Sequence, residues 1–304
     1  MNDNRPPGGS GPYRGPPSQR RDKRERQRDR EATESRPSAP RPSAPRPAPR
    51  HESAEPATPR GPREQRLYGL NACLAMFARR PGDLRKVWLL ESRIHRLKDV
   101  LAYCVQNRLG YTVVGDEDLQ KLAASSHHEG VVFGAMPAPE LSLSSWLREL
   151  PSGPQVALWL DGVGNPHNLG AILRSAAHFG VAGLLLPKDS SLALSGAAAR
   201  VAEGGAEVVP LVRLGRADNS LAQLTSAGFV AAATVVRGGE TLHAVALPER
   251  LLLVMGAEQT GVDPFLADAA TLRLAIPGTG AVESLNVASA TSVFLAEWWR
   301  QQRA

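Results

Sequence analysis

Residues 156–160, 251–255 and 272–276 are short strand-like runs, and each stops at a glycine turn that carries polar side chains. The first opens into Asp161-Gly162-Val163-Gly164-Asn165-Pro166-His167-Asn168-Leu169-Gly170. The second opens into Gly256-Ala257-Glu258-Gln259-Thr260-Gly261, and the third into Pro277-Gly278-Thr279-Gly280 and then Glu283-Ser284-Leu285-Asn286. The first two are five-residue apolar runs, too short for helices, and read as buried strands; the third reads as a strand because Leu272, Leu274 and Ile276 alternate with Arg273 and Ala275. Strands are expected at 155–160, 182–186, 207–212, 229–235, 251–256 and 271–276, with helices at 168–179, 195–204, 218–227 and 285–301. Strands that alternate with helices predict a mainly parallel sheet covered on both faces. Ser284 is expected to cap the last helix, which carries Val287, Ala290, Phe294 and Trp298 along one face. Ligands of open α/β sheets bind at the C-terminal strand ends, and a helix mouth there suits a nucleotide-like ligand. Taken singly, each turn also fits an ordinary strand-to-helix connection.

Upstream lies a smaller α/β pattern at 65–135. Leu67, Leu70, Leu74 and Phe77 recur at helical spacing. A strand is expected at 85–90, a helix at 94–107, a strand at 111–114, a helix at 116–124 and a strand at 130–133. Residues 136–154 read as a linker with a helical turn at 143–150, and 155–304 as the second domain. The adjacent His127 and His128 point in different directions and lack a third ligand at suitable spacing, so no metal site is expected. A loop that touches a substrate or caps the next strand is the expectation there.

The charge of the chain is unevenly placed. Residues 1–64 hold 15 Lys/Arg and nine Asp/Glu, a net of +6, which equals the formal charge of all 304 residues. The same stretch holds 14 of the 25 prolines and almost no large apolar residue, a composition that cannot bury enough surface to fold. It is expected to be a disordered basic tail that tracks phosphates without choosing sequence, or else a solvated spacer. No run has the length of a membrane span, the N-terminus lacks an apolar signal core, and Cys73 and Cys104 lack metal-ligand spacing. A reduced cytoplasmic protein is expected, with no membrane partner.

The three turns, in order and spacing, resemble the three motifs of the SpoU/TrmH family of RNA methyltransferases. Residues 165–175 match its Asn-x-x-Asn-Leu-Gly-x-x-x-Arg, residues 256–261 its Gly-x-Glu-x-x-Gly, and residues 276–287 its Ile-Pro-x-x-Gly-x-x-x-Ser-Leu-Asn-Val. The resemblance covers about 66–304, and the ending Leu-Ala-Glu-Trp-Trp-Arg-Gln-Gln is similar to a subgroup of uncharacterised tRNA/rRNA methyltransferases. It implies a trefoil-knotted SPOUT fold, preceded by a ribosomal-protein-like substrate-binding domain that Tyr68-Gly69-Leu70-Asn71 and His127-His128-Glu129-Gly130-Val131 also resemble. It implies S-adenosylmethionine (AdoMet) as cofactor, tRNA or rRNA as partner, a ribose 2′-hydroxyl as acceptor, and a homodimer formed through the methyltransferase domain. By the same resemblance Gly256, Ile276 and Leu285 bind the donor. Asn168, Arg174, Glu258, Ser284 and Asn286 form the catalytic set, with Arg174 near the acceptor hydroxyl and a phosphate. Arg174 follows Asn168 by six residues, so both are expected to face one helix end, with Glu258 orienting Arg174, Ser284 bonding the nucleotide and Asn286 holding its loop. Arg200 reads as a substrate-side arginine or as ordinary surface charge. Gly278 and Ala288 depart from the family's frequent Met and Ser, which bears on donor affinity.

Methyl transfer from a sulfonium is an in-line displacement that needs no metal; it needs a positioned nucleophile. A dinucleotide enzyme would need Gly-x-Gly-x-x-Gly, but in 162–170 the third glycine comes too late, and no phosphate-binding P-loop occurs. The remaining alternative is a catalytically silent RNA-binding or assembly protein that keeps the fold.

Overall fold

The computed structural model describes residues 64–303. The tail expected at 1–64 therefore lies outside the described residues, apart from Glu64. The chain then runs β1 (Gln65–Tyr68), α1 (Leu70–Arg79), β2 (Leu84–Leu89), α2 (Lys98–Gln106), β3 (Gly110–Val113), α3 (Asp116–Ala123) and β4 (Val131–Ala135). These strands form one sheet in the order β1-β4-β2-β3, antiparallel except for the parallel β2–β3 pair. The chain continues through β5 (Leu141–Ser142), α4 (Leu143–Glu149), β6 (Gln155–Leu160), α5 (Pro166–Phe179), β7 (Gly183–Leu186), α6 (Gly196–Val201), β8 (Leu211–Arg213) and α7 (Ala217–Ser226). It ends with β9 (Val230–Thr234), β10 (Glu240–Thr241), β11 (Arg250–Met255), α8 (Pro264–Ala269), β12 (Leu272–Ala275) and α9 (Val287–Arg303).

The second sheet has eight strands in the order β10-β12-β9-β11-β6-β7-β8-β5, and every pairing in it is parallel. Both faces are covered, which explains the uninterrupted apolar runs. Val156, Leu158 and Leu160 of β6, with Leu251, Leu253 and Met255 of β11, enter one core with Leu169 of α5 and Phe294 of α9. The intervening Ala157, Trp159, Leu252 and Val254 enter the opposite core with Trp146 of α4, Leu224 of α7 and Leu266 of α8. Side chains alternate faces along a strand, so each central strand feeds two cores.

Four expectations are corrected. Leu67 is not on the first helix: it pairs with Phe133 in the small sheet, and Gly69, at φ 92°, turns the chain into α1. Positive φ is open to glycine at no steric cost, so this residue separates the two elements. The 94–107 helix is shorter, with 3₁₀ turns at Glu91–Arg93 and His95–Leu97 before α2. The 207–212 strand begins only at Leu211, because Gly205–Glu207 forms a 3₁₀ turn and Pro210 lacks an amide proton for the ladder. Finally, 136–154 is more than a linker: β5 adds an edge strand beside β8, and Leu143 and Trp146 are buried against the large sheet. One further helix, α8, was not among the expected elements: Asp263 caps it and Pro264 stands at its first position.

The two sheets meet through polar side chains. Arg80 donates from Nε and Nη2 to the two oxygens of Glu207, each at 2.8 Å. Arg200 donates to Glu129 Oε1 at 3.1 Å, while Glu129 Oε2 accepts from the Leu70 amide at 3.0 Å. Arg200 thus ties the two sheets together. His128 Nδ1 accepts from the Gly130 amide at 3.0 Å, fixing the turn into β4. Among the described residues no helix is long and apolar enough to cross a membrane.

Two stability measurements follow from these contacts. The side chains of Arg80 and Glu207 are only 13% and 6% exposed. Arg80→Ala leaves a buried carboxylate uncompensated and should lower the unfolding free energy by about 3 kcal/mol in urea titration; a loss within experimental error would show that the pair is solvated. On α9 the bidentate Arg300 contact, aided by Gln301, holds the Glu297 carboxyl at about 2 against an ordinary 4.5. A depressed carboxyl pKa stabilises above the unfolded value and loses that contribution as pH falls through the folded one. Glu297→Gln should therefore flatten the acid loss of stability between about pH 4.5 and 2, read as melting temperature against pH.

Candidate functional site

The C-terminal ends of β6, β11 and β12 deliver the three glycine turns to one rim of the large sheet, as parallel pairing requires. After β6, Asn165 caps α5 by accepting from the His167 amide at 2.9 Å, with Pro166 as the first helical residue. Asn168 follows in the first turn. After β11 the chain folds on itself: the Ala257 and Gly261 backbones exchange hydrogen bonds of 3.0 and 2.9 Å. A Cβ on Gly256 would collide with the backbone of Gly261 and Val262, so only glycine permits that closure. After β12 the chain passes through 276–286 into α9.

Three side chains join these turns. Glu258 Oε1 accepts from Asn168 Nδ2 at 2.9 Å and from Asn286 Nδ2 at 3.0 Å, and Asn286 Nδ2 also reaches Asn168 Oδ1 at 3.1 Å. Asn286 Oδ1 accepts from the Ala288 amide at 3.0 Å, and its carbonyl from Ala290 at 2.9 Å. The cap of α9 is therefore Asn286 and not Ser284, which lies two residues further from the helix and makes no hydrogen bond to another described residue. A fourth tie was not foreseen. Asp161 Oδ2 accepts from the Asp263 amide at 2.6 Å, which links the end of β6 to the start of α8. Burial raises the Asp161 pKa, partly offset by that amide.

Beside this network lies a cavity of about 350 Å³, lined by Gly256, Glu258, Ile276, Ser284 and Leu285 over a floor of Met255 and Phe294. Its volume is within the range of small-molecule sites. Leu285 is 47% exposed and Val282 71%, so apolar side chains stand uncovered at its wall. All three residues read as donor-binding line it, with Glu258 and Ser284 of the catalytic set. Thr234, the last residue of β9, and Arg237, just beyond it, line it too. No motif flagged them; the signal was only that β9 lies beside β11 in a parallel sheet.

Arg174 stands apart. It is exposed on α5, forms no hydrogen bond or ion pair with another described residue, and lines a separate groove of about 950 Å³ with Arg79, His178 and Ser292. The expectations that it shares a helix end with Asn168 and is oriented by Glu258 are corrected. Six residues at 100° each leave the two side chains about 120° apart around the axis, and Glu258 is engaged by two amides instead. Among the described residues no group of three or more His, Cys, Asp or Glu is placed to share a metal ion.

Residues 155–296 match the family described as the SpoU rRNA Methylase family, and residues 66–140 the family described as RNA 2′-O ribose methyltransferase substrate binding. The chain is 39% identical over 242 residues to a protein of Escherichia coli O157:H7 named uncharacterized tRNA/rRNA methyltransferase YfiF, covering 79% of this chain and 69% of that one. It is 37% identical over 246 residues to the 23S rRNA (guanosine-2′-O-)-methyltransferase RlmB of Pasteurella multocida, covering 79% and 99%. Among solved structures it is similar to the SpoU methyltransferase AviRb from Streptomyces viridochromogenes in complex with AdoMet, with TM-score 0.64, 20% identity and coverage of 78% and 90%. An AdoMet-bound rRNA methyltransferase from Sinorhizobium meliloti gives TM-score 0.65 at 23% identity, covering 80% and 89%. These structural likenesses carry the fold, and they agree with the α/β SPOUT class expected from the motifs.

The amide–carboxylate network makes its own prediction. Asn286→Ala removes a helix cap and one partner of Glu258, and should cost about 1–2 kcal/mol of stability. Asn286→Asp keeps the cap oxygen but sets a second carboxylate against Glu258. It should be destabilised at neutral pH and recover as the pH falls and one of the two protonates. Denaturant titration across pH decides this: a pH-independent Asn286→Asp variant would show that the two side chains do not meet in solution.

Proposed function

The chain belongs to the SpoU rRNA methylase family, and from that premise we propose that it is an AdoMet-dependent methyltransferase acting on a ribose 2′-hydroxyl of tRNA or rRNA. The observation that carries this reading is the cavity itself. Three motif turns, sewn together by Asn168, Glu258 and Asn286, hold an apolar wall of Ile276 and Leu285 open beside exposed backbone. Such a cradle fits an adenosyl group, which needs apolar faces and backbone hydrogen bonds rather than charge. Bound AdoMet supplies an activated methyl on a positively charged sulfur. Gly256 keeps its loop closed against that ligand, Ile276 and Leu285 cover its base, and Ser284 offers an unengaged hydroxyl to the nucleotide.

Arg174 is the candidate for the acceptor side. A guanidinium keeps its proton in proteins, so its role is to stabilise the forming alkoxide and to hold a phosphate, rather than to act as a base. It lies away from the cavity of its own chain, and this favours a homodimer in which Arg174 of the partner subunit serves each cavity. Residues 65–135 are assigned to RNA binding and 155–304 to methyl transfer, with 141–149 counted with the latter because they pack on its sheet. The second reading, a silent RNA-binding protein, is disfavoured by the intact polar set.

Leu285→Asp should abolish AdoMet binding in calorimetric titration, since it sets a charge in the apolar wall. Gly256 is a poorer probe, because any side chain there disrupts the loop. Arg174→Ala should keep donor affinity yet slow single-turnover methyl transfer about 100-fold or more, the scale of losing a preorganised charge. Mixing the two variants should restore part of the activity if the site is shared between subunits. Absence of labelled-methyl transfer from AdoMet to total RNA by the wild-type chain would favour the silent protein.

A further inference from the structure

The small sheet has a second face that α3 covers only in part. Tyr68, Trp88 and Val132 pack there against Leu119 and Ala123. One step further along the strands, register aligns a single row across all four: Arg66 opposite Gly134, Gly134 opposite Lys86, and Lys86 opposite Gly110. Cations and glycines alternate along this row. With neighbouring strands about 4.8 Å apart, Arg66 and Lys86 are rooted about 10 Å from each other across a gap with no side chain.

Both cations rest on one ring. The Arg66 guanidinium carbon lies 4.1 Å from the Trp88 ring centroid and Lys86 Nζ lies 4.9 Å from it. The electron-rich indole face makes this clustering of like charges tolerable and fixes where the two heads lie. An anion already sits in the gap. The Glu64 carboxylate bonds Arg66 Nη1 at 3.0 Å, and it lies so close over Gly134 that a Cβ there would strike it. Lys86 has no carboxylate partner among the described residues. Arg66 and Glu64 are 42% and 41% exposed, so the pair faces solvent and is weakly held.

We propose that the Arg66–Gly134–Lys86 row is a binding site for an RNA phosphodiester, with Glu64 as a built-in competitor that a phosphate displaces. The proposal rests on the RNA-methyltransferase reading and adds to it the strand face by which the small sheet grips the backbone of its substrate. Glycine at 134 lets the phosphate approach the sheet, and the indole holds the two cations ready on either side. Contacts of this kind supply affinity and position without reading sequence.

The test is binding of a 30-nucleotide oligouridylate to the full chain, measured against salt. Glu64→Gln removes the competitor and should tighten binding about fivefold at low salt, the scale of one exposed charge contact. Lys86→Gln and Arg66→Gln should each weaken binding and lower the slope of log affinity against log salt by about 0.7, the value for one phosphate contact on a single strand. AdoMet binding and melting temperature, measured on every variant, should stay at wild-type values, since none of these residues touches the donor cavity. Wild-type RNA binding with unchanged affinity and slope in Glu64→Gln and Lys86→Gln would overturn the site alone. Absence of salt-sensitive RNA binding by the wild-type chain would overturn both the site and the functional reading beneath it.

Discussion

One carboxylate oxygen holds the functional rim together. Glu258 Oε1 accepts amide protons from Asn168 and Asn286, residues 90 and 28 positions away in the sequence. The two amides also bond each other, which leaves a single consistent orientation for both: nitrogen toward Glu258, and the Asn168 oxygen toward Asn286. An ion pair could bind one turn to another, but a carboxylate with two amides can join three while adding no positive charge of its own beside the cavity. A site that receives a sulfonium donor gains from such a neighbour. The network also couples to helix geometry, because the Asn286 side chain caps α9 with its other atom. Loss of the cap and loss of the loop arrangement are therefore one event.

The sheet beneath makes this meeting possible. β11 lies between β6 and β9, and β12 pairs with β9, so the motif strands end within a few strand widths of one another although more than a hundred residues separate the first from the last. Parallel pairing sends every C-terminal end to the same rim. The double-sided cores fix the heights of those ends, since sliding β11 by one residue would move Leu252 and Val254 from one core into the other. Loop chemistry at the rim depends on packing far below it.

Much of this was legible in the residues. The strands at 155–160, 182–186, 229–235 and 251–256 could be read because short, largely apolar runs that stop at turn residues have few other uses, and the one at 271–276 because Leu272, Leu274 and Ile276 alternate with Arg273 and Ala275. Gly256, Ile276, Leu285, Glu258 and Ser284 could be named because their turns resemble a known pattern, and they do line one cavity. What failed were matters of three-dimensional direction. A spacing of six residues suggests one helix end for Asn168 and Arg174, but the rotation it carries turns them about 120° apart. Ser284 has the right chemistry for a cap, yet only the path of the backbone decides that Asn286 is the residue at the helix start. Leu67 obeys the helical period by coincidence, and the conformation of Gly69 overrides it. β5 was invisible because two residues carry no periodicity, and their strand character exists only beside β8.

That two-residue strand has a consequence for dissecting the molecule. Parallel sheets end in rows of unpaired amides and carbonyls that invite another chain to add on, and natural proteins cover them. Here the cover for β8 comes from upstream of the sheet, from Leu141 and Ser142, and α4 then anchors it with Trp146, whose indole nitrogen donates to the Ala182 carbonyl at 2.9 Å. A catalytic fragment cut at the first long strand, near Gln155, would expose the rim of β8 and the apolar bed of Trp146 together, and would tend to self-associate through that edge. One cut near Pro137 would carry its own edging strip. The segment between the two sheets thus works as a hem: it finishes the border of the larger sheet, and the passage from one sheet to the next is secondary to that duty.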